Sequence, residues 1–171
     1  MSNRFAEYKT FDLSDINKKI LQRWQERNIF HQSLNIRKDA PSFVFYEGPP
    51  SANGMPGIHH VIARSIKDIF CRYKTMKGYR VDRKAGWDTH GLPIELRVLK
   101  DEKLSKESVD PLELRKKCTD TALHYLDVQR EEFKRLGVFG EWDKPYITLD
   151  PGFETLELRA FADMVEKGLV Y

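Results

Sequence analysis

A chain of 171 residues, 40% hydrophobic and 32% charged, is long enough for one cored domain and has an ordinary globular profile. Its net charge of +3, from 29 basic and 26 acidic residues, is too small to argue for nucleic-acid binding on charge alone. No run reaches membrane-spanning length, Met1 to Phe5 opens no secretory leader, and Cys71 and Cys118 form no C-x-x-C pair, so the composition points to a cytoplasmic chain with reduced thiols and no metal site.

Residues 1–12 read as irregular. Ser14 is placed to cap a helix running to about His31, with Ile16, Ile20, Leu21 and Trp24 on one side. Asn35 to Ser42 reads as a polar linker. Residues 1–41 are thus expected to form an N-terminal helical extension. The run Phe43 to Glu47 is short and apolar, as a buried parallel strand should be.

That strand runs into Pro49-Pro50-Ser51-Ala52-Asn53-Gly54-Met55-Pro56-Gly57-Ile58-His59-His60. The pattern is strand, Gly/Pro turn, then a helix with two histidines in its first turn. A helix start carries unpaired N–H groups and a positive dipole end, which suit a phosphate. Two imidazoles add donors there. The stretch matches neither G-x-G-x-x-G nor the P-loop. A plain turn with solvated histidines fits the same spacing.

The next helix spans about His59 to Met76. Ile58, Ile62, Ile66, Ile69, Tyr73 and Met76 recur at helical spacing and are expected in the core. Arg64, Lys67, Asp68, Arg72 and Lys74 are expected on a solvated face. Gly78 ends the helix. Tyr79 to Ala85 is a second strand, which completes a βαβ unit with parallel strands.

Ligands of such units sit beyond the carboxyl ends of the strands. The residues expected there are His59, His60, Asp88 and His90. Asp88 reads either as a ligand residue or as the start of an Asx turn. Trp87 reads as a core anchor, and His90 as a cap for the following turn.

Ile94 to Glu102 continues as helix, and Lys103 to Ser108 breaks it. Asp110-Pro111-Leu112-Glu113 is a helix start with a cap, a first-turn proline and an acidic third position. That helix should reach Leu136, with Leu114, Cys118, Ala122, Tyr125, Phe133 and Leu136 on one stripe, and stop at Gly137. Val138 to Tyr146 reads as an aromatic loop. Asp150-Pro151 opens a last helix ending near Gly168. The chain then stops at Tyr171, where another strand could begin, and is expected to be cut there.

Phe45-Tyr46-Glu47-Gly48-Pro49-Pro50 through His60, with Gly86-Trp87-Asp88-Thr89-His90-Gly91-Leu92-Pro93-Ile94-Glu95, closely resembles the isoleucyl-tRNA synthetases, a family of class I aminoacyl-tRNA synthetases. Ile66-Lys67-Asp68, Arg72-Tyr73-Lys74 and the segment from Leu136 to Thr148 extend the resemblance over nearly the whole chain. It implies an α/β fold, in which residues 42–171 form the first half of a Rossmann-like parallel-sheet nucleotide-binding domain. That domain would carry added helices and end before the family's editing insertion. The implied chemistry is attack of the isoleucine carboxylate on the α-phosphate of ATP, with Mg2+ accompanying the ATP. Pyrophosphate leaves, and the acyl group passes to tRNA.

By the same resemblance Asp88 binds the substrate ammonium, and Gly48 and Pro49 line the amino-acid pocket. Pro50, Asn53, Gly54, Gly57, His59 and His60 contact ATP, and His60 and His59 act in catalysis. The family's HIGH motif reads His-x-Gly-His, whereas this chain has Gly57-Ile58-His59-His60. His60 keeps the last position. His59 stands where the family has glycine, able to stack on adenine or to replace the missing donor. Lys103-Leu104-Ser105-Lys106 is similar to the family's KMSKS signature but lies far too early for it. The fragment alone is expected to be inactive. A synthetase for valine or leucine, or a binding-only paralogue, remains an alternative.

Overall fold

Three parallel strands carry the site, and helices surround them in the chain order α1 (Leu13–Glu26), α2 (Ile29–Asn35), β1 (Ser42–Tyr46), α3 (Ile58–Met76), β2 (Arg80–Trp87), α4 (Leu92–Asp101), α5 (Pro111–Arg135), β3 (Glu141–Ile147) and α6 (Pro151–Glu166). The structure is a computed structural model that describes residues 10–171. The readings made for residues 1–9 lie outside it. The sheet has the order β1-β2-β3. Ser42 pairs with Arg80, and the register holds to Tyr46 with Lys84. The α/β class and the parallel βαβ unit are as expected.

Five sequence readings are corrected. Asp12, not Ser14, caps α1, its carboxylate accepting the Asp15 N–H at 3.0 Å. The helix expected to reach His31 breaks after Glu26, because Asn28 adopts the left-handed conformation with φ 47°. The second strand starts at Arg80 and runs on through Trp87, so Asp88 stands directly at its end.

The aromatic loop expected from Val138 to Tyr146 contains strand β3. Its pairing moves from Lys84 with Glu141 to Gly86 with Tyr146. Two steps on β2 thus face five on β3. This bulge absorbs Asp143, Lys144 and Pro145, the residues that hide a strand from pattern reading.

The fifth correction concerns α3. Arg64 is buried, Lys67 and Asp68 are half-buried, and Ile58, Ile62, Ile66, Ile69, Tyr73 and Met76 are all exposed. The expected core stripe faces outward and the expected solvated stripe faces the sheet. The cause is charge on the sheet itself. Glu47 receives Arg64 and Lys67, and Arg83 donates to Asp68 at 2.9 Å. Burial of these charges needs partners, and α3 supplies them.

Val81, Arg83, Ala85 and Trp87 alternate onto the covered face of β2. There the core gathers Ala52, Ala85, Trp87, Ile94, Ala122, Leu126 and Phe133. On the opposite face Val44 and Tyr46 are exposed. Asp110 and Asp150 cap α5 and α6 as expected, each accepting two backbone N–H groups. None of α6 is buried.

The Tyr146 ring crosses β2 over Gly86, and its hydroxyl donates to the carbonyl of Glu47, just past the end of β1. A Cβ at position 86 would overlap that ring. Gly86→Ala is expected to cost about 1–3 kcal/mol of stability, read as an earlier urea midpoint. An unchanged midpoint would show that the ring moves aside freely.

Candidate active site

The backbone ladder of β1 and β2 continues past the ends of both strands. The Asp88 N–H donates to the Pro50 carbonyl at 3.0 Å, and the Ala52 N–H donates to the Asp88 carbonyl at 2.8 Å. Ser51 and Asp88 form a parallel bridge. This fixes the loop after β1 beside the end of β2, where parallel sheets offer ligand space.

Gln129 of α5 locks the loop from below. Its Oε1 accepts the Trp87 indole N–H at 3.1 Å, and its Nε2 donates to the Ser51 and Gly54 carbonyls at 3.0 and 2.8 Å. The amide is buried with both ends engaged. Sequence reading missed Gln129. Its only signal was a polar residue on the Ala122, Leu126, Phe133 stripe.

At the far end of the loop Gly57 is the N-cap of α3, and His59 and His60 lie in the first turn. The His60 Nδ1 accepts the Gly57 N–H at 3.0 Å, the reach-back bond of a capping box. An accepting Nδ1 assigns the imidazole proton to Nε2. Burial lowers the His60 pKa, and the charges of His59, Arg64 and Lys67 lower it further. The ring is therefore held neutral, with one N–H donor to offer.

The His59 ring lies 3.9 Å from that of His60, centroid to centroid, tilted by 41°. A Cβ at position 57 would come within 2.8 Å of His59 Cε1 and 2.9 Å of its Nδ1. The His59 imidazole thus occupies the space where a side chain at position 57 would begin.

Asp88 is half-buried. Its Oδ1 accepts the His90 N–H and its Oδ2 accepts the Ser51 hydroxyl, both at 3.2 Å. The first bond is the Asx turn; the remaining lone pairs are open to a ligand. Among the described residues no Lys or Arg pairs with this carboxylate. His90 turns away to Glu154, 3.2 Å distant.

The structure thus brings Pro50 and Asp88 into one ladder. Gly48 and Pro49 lie at its start, Asn53 and Gly54 over Gln129, and Gly57, His59 and His60 at the helix end of the same loop.

Behind the loop, Arg64 donates to Glu47 at 2.8 Å, and its guanidinium lies 3.7 Å from the centre of the Phe133 ring. Burial lowers the Arg64 pKa, and Glu47 opposes the shift. The space among these charges is about 20 Å³, too small for more than a water. A groove of about 850 Å³ beside α1 and α2 is lined by Trp24, Phe30 and Phe139 and by none of the expected site residues. Burial raises the pKa of both Cys71 and Cys118, so they remain thiols. The described residues hold no group of three or more His, Cys, Asp or Glu able to bind a metal ion.

Residues 19–171 match the family model of class I tRNA synthetases (I, L, M and V). An isoleucine–tRNA ligase of Porphyromonas gingivalis is 49% identical over 175 residues, which cover 100% of this chain and 15% of that protein. The isoleucine–tRNA ligase of Caldicellulosiruptor bescii is 46% identical over 160 residues, 94% of this chain and 17% of that protein. Among solved structures, the LeuRS of Agrobacterium radiobacter K84, in a ternary complex with tRNA and LeuAMS, matches with a TM-score of 0.72. That match covers 95% of this chain and 19% of the LeuRS chain at 23% identity, and it speaks for the fold. The chain spans about 15% of the length of the first of these relatives.

Proposed function

We infer the function from the family this chain belongs to, the class I tRNA synthetases (I, L, M and V). The chain is the N-terminal part of the catalytic domain of an isoleucine–tRNA ligase. Residues 1–41 are assigned to an N-terminal extension, whose described part, residues 10–41, carries α1 and α2, and residues 42–171 to the first half of a Rossmann-like domain. The isoleucine carboxylate attacks the α-phosphate of ATP. A bond forms from that oxygen to phosphorus, the α–β bridge breaks, and pyrophosphate leaves. The aminoacyl group then passes to tRNA. The cytoplasm is the expected compartment; none of the described helices is long and apolar enough to cross a membrane.

The observation that carries this reading is the loop held by the Pro50–Asp88–Ala52 ladder and closed by the His60 cap. It sets a carboxylate with no Lys or Arg partner among the described residues at one end and imidazole N–H donors at the other. Asp88 receives the substrate ammonium, while Gly48 and Pro49 line the amino-acid pocket through their backbone. Pro50, Asn53, Gly54 and Gly57 border ATP, and His59 and His60 face its phosphates. Such a site works by placing the reactants and by stabilising charge as it develops. Mg2+ enters with the triphosphate.

ATP–pyrophosphate exchange by the full-length polypeptide tests this. Isoleucine should outperform valine and leucine. Preference for either of those reassigns the amino acid, and no exchange with any of them indicates a binding-only paralogue.

Residues 1–171 alone are expected to show no isoleucine-dependent exchange. The exposed Val44 and Tyr46, the outward stripe of α3 and the unburied α6 all await further polypeptide. Clear exchange by the purified fragment would overturn that expectation.

A further inference from the structure

We propose that Glu47 is a positioning residue that holds His60 in place relative to the amino-acid loop; this rests on the functional reading above. Glu47 is the last residue before Gly48, and four of its polar atoms are bound by three different elements. Its N–H donates to the Lys84 carbonyl of β2 at 3.0 Å, and its carbonyl accepts the Tyr146 hydroxyl of β3. Its carboxylate accepts Arg64 on one oxygen, at 2.8 Å, and Lys67 on the other, both from α3. Glu47 is 6% exposed and Arg64 4%.

Arg64 lies one turn beyond His60 on the same face of α3. Its guanidinium lies 3.7 Å from the centre of the Phe133 ring, and the His60 ring lies 6.4 Å from that same ring. A slide or rotation of α3 would break a directional, charge-assisted bond in a buried place. Glu47 therefore fixes both the advance and the rotation of the helix, and with them the direction of the His60 Nε2. The space around the carboxylate, about 20 Å³, admits no substrate, so Glu47 acts through His60 and not by contact.

The test is a double-mutant cycle of Glu47→Gln and His60→Ala in the full-length polypeptide, read by isoleucine-dependent pyrophosphate exchange. Glu47→Gln is expected to lower kcat by roughly 10- to 100-fold, the scale of a small misplacement. The Michaelis constants for isoleucine and ATP should shift by less than about threefold, because a position that matters in the transition state shows in kcat. In the His60→Ala background the same change should cost less than about threefold more. Losses that multiply, or an unchanged kcat for Glu47→Gln, overturn the proposal.

If Glu47→Gln fails to fold by circular dichroism, Glu47→Asp carries the same cycle. If neither folds, Glu47 is a structural residue and the proposal falls. A wild-type protein without exchange sinks the functional reading instead. Crystal structures of wild type and Glu47→Gln then decide the positioning alone: a displacement of the His60 Nε2 relative to Asp88 supports it, and an unmoved Nε2 refutes it.

Discussion

Replacing Asp88 by alanine in the full-length polypeptide is expected to raise the Michaelis constant for isoleucine by about 30- to 4,000-fold, equivalent to ~2–5 kcal/mol. The Michaelis constant for ATP should change far less. The carboxylate is half-buried at the end of β2, and its two donors are both neutral, Ser51 and the His90 N–H at 3.2 Å. An ammonium brought to it forms a charge-assisted bond that nothing else nearby supplies. Partial exposure to water places the effect toward the lower end of that range. Asp88→Asn separates the two roles of the residue. Asparagine still closes an Asx turn but carries no charge. Loss of isoleucine affinity in Asp88→Asn assigns the ammonium to this position; wild-type kinetics in Asp88→Asn would make Asp88 a turn residue only.

What could be read from the sequence was what is local. Asp110-Pro111 and Asp150-Pro151 announce helix starts because a cap and its N–H donors lie within three residues. The stretch from Pro49 to His60 was legible as a site because strand end, turn and helix start are contiguous in it.

The rest depends on partners far away in the chain. Gln129 meets Ser51 and Gly54 across 78 and 75 residues, and Glu47 meets Tyr146 across 99. No window of the sequence contains either pair. The inversion of α3 has the same origin. Periodicity reveals two stripes but not which one the sheet receives, and the sheet offers Glu47 and Arg83. β3 was hidden by its own bulge, since Asp143, Lys144 and Pro145 interrupt the alternation without ending the strand.

His60→Ala is expected to lower kcat of adenylate formation by ~10²–10³, the usual loss for one preorganised donor, with little change in isoleucine binding. The donor is the neutral imidazole, proton on Nε2, because Nδ1 is occupied by the Gly57 N–H. Acid protonates Nδ1 and breaks that bond. Burial, then His59, Arg64 and Lys67, hold the pKa below its ordinary 6.5. The neutral, active form therefore predominates above pH 6.5, and kcat should decline as the pH falls through the lowered value. The stability contributed by the cap is lost in the same direction, since the unfolded chain takes up the proton first. His60→Ala should remove this acid limb as well as most of the rate.

The His59 ring lies over position 57, where the resembling family carries its first histidine, so the two positions should behave as a pair. His59→Gly alone leaves one imidazole and should slow the reaction. Gly57→His alone drives a second ring into the first and should slow it too. Gly57→His with His59→Gly restores the order His-x-Gly-His and should recover most of the rate. A double variant no faster than either single one would mean that His59 does not replace the family's first histidine. If His59→Gly and His60→Ala both kept full activity, the turn would be scaffold and the phosphate contacts would have to come from elsewhere in the protein.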